Sequence, residues 1–363
     1  MSAVQLGNIR RILIIKWSAL GDVVIASAVM EDIVRAFPAA KIHLNTQPNC
    51  TGLFAHDPRF AEVWSIDVRS GRHRWANSLA WLKKARAGRY DLVIDLQRSD
   101  HSRLLLTLLW LGGGAPRVRV GNRGGFPYTH QPALRMSGTH ALPTMQSVLQ
   151  AIGIPTTTLH PVLHPAPDRL AAVEALRQQH DLADGRYVVL LPGSAAAHPL
   201  KRWGAARFAA LAQLLYAQGI PKIVVIGGPD EVDECTAIAA AGEYVVNLNG
   251  RLQLLDIAPL CAGALAIIGN DTGTAHFASA AARPLLVLCG PTDPRRVKPI
   301  GNRSIAVQAH LPCSNCYAKT CRNADQHACM KAITAEWVAA RVPELAADEI
   351  KPGQDWPGGL RSF

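Results

Sequence analysis

The sequence predicts an α/β protein built of two doubly wound domains, and three observations predict it. Short apolar runs bounded by turn residues alternate with stretches of helical spacing, the pattern of a mostly parallel sheet with helices on its faces. The alternation lapses into a Pro-broken connection at 155–167 and then restarts, which divides the chain into residues 1–165 and 166–363. The halves also differ in charge: residues 1–160 hold 19 Lys and Arg against 9 Asp and Glu, and the rest hold 19 against 18. A length of 363 residues gives each domain room for its own core.

Arg11 to Lys16 (RILIIK) is a compact apolar run and reads as the first buried strand. A loop from Trp17 to Asp22 leads into a helix at Val23 to Phe37, where Val24, Ala28, Ile33 and Phe37 recur near helical spacing and Pro38 ends the pattern. Lys41 to Asn45, Val63 to Ile66 and Leu92 to Asp95 read as strands, with helices at Trp75 to Ala87 and His101 to Leu111. In such a sheet ligands bind beyond the carboxyl ends of the strands, where Asp22, Asp95 and Gln97 fall. Gly112 to His140 is a Gly- and Arg-rich loop with Val118 and Val120 as its one strand candidate, and a short helix at Thr144 to Ile152 closes the half.

The second half opens with a helix at Asp168 to His180. Tyr187 to Leu191 and Lys222 to Ile226 then read as strands, with helices at Trp203 to Gln218 and Glu231 to Ala241. Ala264 to Lys298 is the most informative stretch. Leu265 to Ile268 is a strand, Gly269, Asn270 and Asp271 break it, an Ala-rich helix follows to Ala282, and Arg283-Pro284 precedes a strand at Leu285 to Leu288. The amides and partial positive charge of that helix start favour a phosphate, and Asp271, Thr272, Gly273 and His276 surround it. The same residues fit a plain helix cap with a half-buried histidine. The last helix is expected to pack back on the first domain.

Pro192 to Trp203 joins a strand to a helix. Gly193 and Ser194 allow close backbone approach there, and Lys201 and Arg202 bring positive charge to the same edge. Asp230 and Glu231 follow the next strand and suit either a ligand's hydroxyls or a helix's first turn. Asp22 fits a helix cap as readily as a catalytic base.

Composition bounds the function. With 49% apolar and 18% charged residues the chain is globular, not disordered. No apolar run approaches the roughly 18 residues that cross a bilayer. Lys16 cuts the run after Arg10-Arg11 too short for a signal peptide, so a cytoplasmic protein is expected. The basic surplus of the first half calls for an acidic partner, such as nucleic acid, anionic lipid or a phosphorylated glycolipid, or else serves solubility. Nucleic acid is disfavoured, because the Arg clusters lack interleaved aromatics and a nucleic-acid module.

Four motifs in order carry a family resemblance. They are K-x-S-x-x-GD-V at Lys16 to Val23, PGS with K-x-W at Pro192 to Trp203, GGP-x-E at Gly227 to Glu231, and NDTG-x-x-H followed by GPTDP from Asn270 to Pro294. Together they closely resemble the ADP-heptose:lipopolysaccharide heptosyltransferases, GT-B glycosyltransferases. The resemblance implies two facing Rossmann-like domains around a central cleft, an acceptor-binding first domain and an ADP-heptose-binding second. It implies inverting transfer, with Asp22 as general base and Lys201 offsetting charge on the departing diphosphate. Gly193, Ser194, Glu231, Asp271, Thr272, Gly273 and His276 would bind the donor, with Glu231 near the ribose. The insertion of Ala195 to Pro199 alters the family spacing before Lys201. Neither cofactor nor catalytic metal is implied. The acceptor would be the anionic inner core of lipopolysaccharide, met by Arg69, Arg72 and Arg74 at the inner face of the inner membrane. A protein acceptor, and a non-catalytic nucleotide-regulated binding protein, are the alternatives.

Cys313, Cys316, Cys321 and Cys329 fall within one short segment, spaced C-x2-C-x4-C-x7-C. They suit a structural thiolate metal site or reduced, partly buried thiols, since a cytoplasmic setting disfavours structural disulfides. Cys50, Cys235, Cys261 and Cys289 read as core residues.

Overall fold

The computed structural model describes residues 8–68, 73–133 and 139–363, which form two compact units, Met1–His164 and Pro165–Phe363. The first contains β1 (Arg11–Ile15), α1 (Leu20–Ala36), β2 (Lys41–Thr46), α2 (Pro48–Thr51), β3 (Glu62–Ser65), α3 (Arg74–Ala87), β4 (Leu92–Asp95), α4 (Asp100–Leu111), β5 (Val118–Gly121) and α5 (Ala141–Gln150). Its sheet is parallel throughout, in the order β3-β2-β1-β4-β5. β1 is central, which is why it reads as an unbroken apolar run: Ile12, Leu13, Ile14 and Ile15 are all fully buried. The order reverses between β1 and β4, and this switch point fixes where a ligand crevice opens.

The second unit contains α6 (Pro167–Gln179), β6 (Tyr187–Leu191), α7 (Ala205–Ala217), β7 (Lys222–Val225), α8 (Val232–Ala239), β8 (Val245–Asn247), α9 (Ile257–Ala262), β9 (Ala266–Asn270), α10 (Gly273–Ser279), β10 (Leu285–Cys289), α11 (Pro294–Val297), β11 (Ser304–Ala309), α12 (Ala328–Lys331), α13 (Ala335–Ala346), β12 (Asp355–Trp356) and β13 (Leu360–Ser362). Its sheet runs β12-β13-β11-β10-β9-β6-β7-β8, parallel except for the edge formed by β12 and β13. The switch point here lies between β6 and β9.

Several boundaries differ from the sequence reading. α1 starts at Leu20, so Asp22 lies inside the first helical turn instead of in a loop. β9 runs through Asn270, because that side chain is satisfied within the sheet edge and does not turn the chain. α10 ends at Ser279, with Ala282 in the left-handed region before Pro284. α13 buries Val338, Ala339, Val342 and Leu345 in the core of its own unit, and α7 packs against it.

Candidate active site

In the first unit the site is built where β1 and β4 end. Gln97, two residues past β4, accepts hydrogen bonds through Oε1 from the backbone N–H of Trp17 (2.7 Å) and of Ser18 (3.0 Å). The loop between β1 and α1 is therefore clamped across the switch point. Trp17 is fully buried and donates its indole N–H to Asn45 Oδ1 at 2.7 Å, an oxygen shared with Trp81 at 2.7 Å. Lys16 is buried, donates to the Ser18 carbonyl at 2.8 Å, and holds its ammonium 4.0 Å from Asp22 Oδ2.

Two carboxylates stand at this edge, and their surroundings separate their roles. Asp95 is fully buried and accepts from the Tyr128 hydroxyl at 2.6 Å and the Gln97 amide at 2.9 Å. Burial pushes its carboxyl above the ordinary range despite those bonds, and burial together with Asp95 raises the Tyr128 phenol strongly. Asp95 is thus a fixed acceptor that holds Gln97 and Tyr128. Asp22, by contrast, has a side chain 46% exposed. The helix cap is Ala19 and no side chain caps it, so Asp22 is free of the capping duty the sequence allowed.

In the second unit the site forms where β6 and β9 end. Asn270 bridges them: its Oδ1 accepts the Trp203 amide at 3.1 Å, and its Nδ2 donates to the carbonyls of Pro192 and Gly193. Next to it, the nearly buried Asp271 accepts through Oδ2 from the Lys201 ammonium at 2.7 Å and from the Thr292 hydroxyl at 2.8 Å. The inserted residues Ala195 to Pro199 do not carry Lys201 away. The chain folds back on itself, with the His198 amide on the Ala195 carbonyl and the Ser194 hydroxyl on the His198 carbonyl, and a 3-10 turn at Pro199–Lys201 returns the lysine to the strand end. Trp203, part of the K-x-W string, is wholly buried and gives its indole N–H to the Ile333 carbonyl, so its work is structural.

Glu231 closes the other side. Its carboxylate accepts the Gly228 amide at 2.8 Å and presses on Gly193, where an added Cβ would lie 1.7 Å from Glu231 Oε1. An alanine there would push that carboxylate aside. Thr272 is the cap residue of α10 but makes no side-chain cap bond, and Asp271 is engaged by Lys201 and Thr292. The plain helix-cap reading of these two residues therefore does not hold. His276 sits half-buried one turn further along.

Arg69 and Arg72 lie outside the described residues. Arg74 is the first residue of α3, exposed, with its guanidinium 5.9 Å from the Trp75 ring centre. Cys313, Cys316, Cys321 and Cys329 do gather around one cavity of about 420 Å³, beside Leu200 and His327. Among the described residues no three His, Cys, Asp or Glu side chains are placed to hold a metal ion. Hydrogen bonds from the His327 and Asn323 amides hold the Cys321 thiol below its ordinary range, whereas burial pushes Cys329 up to about 11. His327 Nε2 meets the Leu200 carbonyl at 2.7 Å, which ties this segment to the turn carrying Lys201. Cys50, Cys235, Cys261 and Cys289 are buried.

Sequence reasoning missed the bridging roles of Asn270 and Thr292. Both belong to the quoted motifs, and their position at the end of a strand or just past it was the available signal.

The central strands of each unit thus end in a polar edge, with an accessible carboxylate in one and an ammonium-lined turn in the other. Residues 79–327 match the sequence profile of glycosyltransferase family 9 (heptosyltransferase). The chain is 28% identical over 328 residues to lipopolysaccharide heptosyltransferase 1 of Pseudomonas aeruginosa, covering 86% of this chain and 87% of that protein. It is 27% identical over 303 residues to lipopolysaccharide heptosyltransferase 3 of Escherichia coli, covering 78% and 85%. Its fold is similar to that of E. coli ADP-heptose lipopolysaccharide heptosyltransferase II, with a TM-score of 0.71 at 23% identity over 93% of this chain and 99% of that one.

Proposed function

The chain belongs to glycosyltransferase family 9, and from that premise we propose that it moves heptose from ADP-heptose to the inner core of lipopolysaccharide with inversion at the anomeric carbon. Asp22 accepts the proton of an acceptor hydroxyl. The freed oxygen attacks the anomeric carbon, the bond from that carbon to the diphosphate oxygen breaks, and ADP leaves with the electron pair. The Lys201 ammonium and the amides that open α10 meet the charge developing on the diphosphate, so the step calls for no catalytic metal. Gly193 and Ser194 let the backbone approach the phosphates. Glu231 accepts from the ribose hydroxyls, and Asp271 holds Lys201 in place, with Thr272, Gly273 and His276 completing the donor side.

One observation carries this reading: the side chains with complementary chemistry stand at the switch point of each sheet, with Asp22 open to solvent and Lys201 fixed by Asp271. Arg69, Arg72 and Arg74 are assigned to the anionic acceptor, and the basic first half to the inner face of the inner membrane. Among the described residues no helix is long and apolar enough to cross a membrane.

Release of ADP on mixing with ADP-heptose and candidate acceptors is the test. Release that depends on an inner-core acceptor supports the assignment. Release that depends on a protein acceptor would move the substrate, and no release with any acceptor would leave a nucleotide-binding protein.

A further inference from the structure

We propose that the outward face of α3 and α4 is a docking surface for an anionic phospholipid bilayer, an inference that rests on the membrane-surface reading above and gives it residues. Among the described residues, seven of the thirteen large apolar side chains left exposed come from the stretch between Trp75 and Phe126. Trp75 and Leu79, one turn apart on α3, are 75% and 68% exposed, while Ser78, Trp81 and Ala85 on the adjoining face are buried. On α4, Leu104, Leu108 and Leu111 follow the same spacing outward, and Leu105, Leu106 and Leu109 face the core. The two helices pack side by side. Trp75, Leu79, Leu104, Leu108 and Leu111 thus form exposed apolar stripes on two adjacent helices, the kind of surface that marks an interaction site.

Charge selects the occupant. Residues 68–90 contain seven Lys and Arg and no Asp or Glu, and residues 101–167 contain no acid at all. Arg86 comes three turns after Trp75 on the same face of α3. With Arg89, Gly113 and Gly114 it lines a cavity of about 490 Å³ at the carboxyl ends of both helices. Among the described residues, no ion pair forms on Lys83, Arg86 or Arg89. Apolar side chains flanked by unpaired cations suit an interface where acyl chains begin and phosphates lie just above them. A second copy of this chain would bring the same cations into opposition and is disfavoured.

The experiment is flotation of the full-length protein with vesicles of phosphatidylcholine alone and of phosphatidylcholine mixed with phosphatidylglycerol. The wild type should float with the mixed vesicles and be released by salt. Replacing Arg86→Ser and Arg89→Ser should weaken partition about 5-fold for each arginine, and Leu79→Ser with Leu108→Ser should abolish it. All these positions are exposed, and circular dichroism checks that the variants fold. Equal partition onto both vesicle types, or variants that float as the wild type does, would overturn the proposal. So would release by millimolar glycerol phosphate, which would make the cavity a free-phosphate site, or a dimer in light scattering that the leucine pair abolishes. Turnover on a delipidated, water-soluble acceptor should be unchanged in both double variants. Vesicle binding by a wild type that transfers to no acceptor would sink the assigned reaction and leave the docking surface standing.

Discussion

Replacing Gly193→Ala probes the donor side through one contact. The new Cβ would sit 1.7 Å from Glu231 Oε1 and 2.0 Å from its carboxyl carbon, so the carboxylate must leave the Gly228 amide, which it now accepts at 2.8 Å. A hydrogen bond to a charged group contributes about 1.5–3 kcal/mol, and this sets the magnitude. If Glu231 receives the ribose, ADP affinity should fall by about 10- to 150-fold, the same energy converted at 1.4 kcal/mol per decade. Glu231→Ala should produce a similar loss on its own. The double variant should be no worse than Glu231→Ala, because the methyl group then has nothing to displace, and thermal stability should recover in it. Calorimetric titration of ADP into the four proteins closes the cycle. Independent, additive losses would refute the coupling, and wild-type affinity in Glu231→Ala would remove Glu231 from the donor site.

Asp271→Ala strips Lys201 and Thr292 of their shared acceptor, and His276→Ala removes the ring beside the start of α10; both should weaken ADP binding, and unchanged affinity in both would leave that edge a structural feature. Changing Arg69, Arg72 and Arg74 to Ser should raise the acceptor KM and flatten its salt dependence while the ADP-heptose KM holds; wild-type acceptor values would give the basic surplus another purpose. For the cysteines, the Cys321 thiol, held low by the His327 and Asn323 amides, becomes thiolate as pH rises well before Cys329, whose value is about 11. Iodoacetamide at neutral pH should therefore label Cys321 and spare Cys329, read by peptide mass spectrometry. Equal labelling of the two would contradict the environments described, and metal analysis of the purified protein decides the structural-metal alternative.

Much of this architecture was legible because its central strands are buried on both faces. RILII, YVVLL and LLVLC each read as strands from apolar content alone, and the turn motifs that end them mark both switch points. β11 escaped notice for the opposite reason. Its sequence SIAVQA carries Ser304 and Gln308, which look exposed, yet every residue is buried. Gln308 is tolerated there because its amide donates to the carbonyls of Gly290 (2.9 Å) and Thr292 (2.8 Å). In the site, the motif residues were nameable, but the partners were not: that Gln97 reaches the amides of Trp17 and Ser18, 80 and 79 residues away, is a property of strand order. The return of Lys201 to Asp271 across an insertion likewise depends on a local turn that no spacing rule encodes.

Asp22→Asn tests the central claim most directly. The amide keeps the shape of the carboxylate but cannot accept the acceptor's proton, and Asp95, buried and already bonded to Tyr128 and Gln97, cannot substitute for it. ADP release with a lipopolysaccharide inner-core acceptor should fall by about 10²- to 10⁴-fold, while ADP binding by calorimetry stays at the wild-type value. Turnover above half that of the wild type would contradict the assignment of Asp22 as the base.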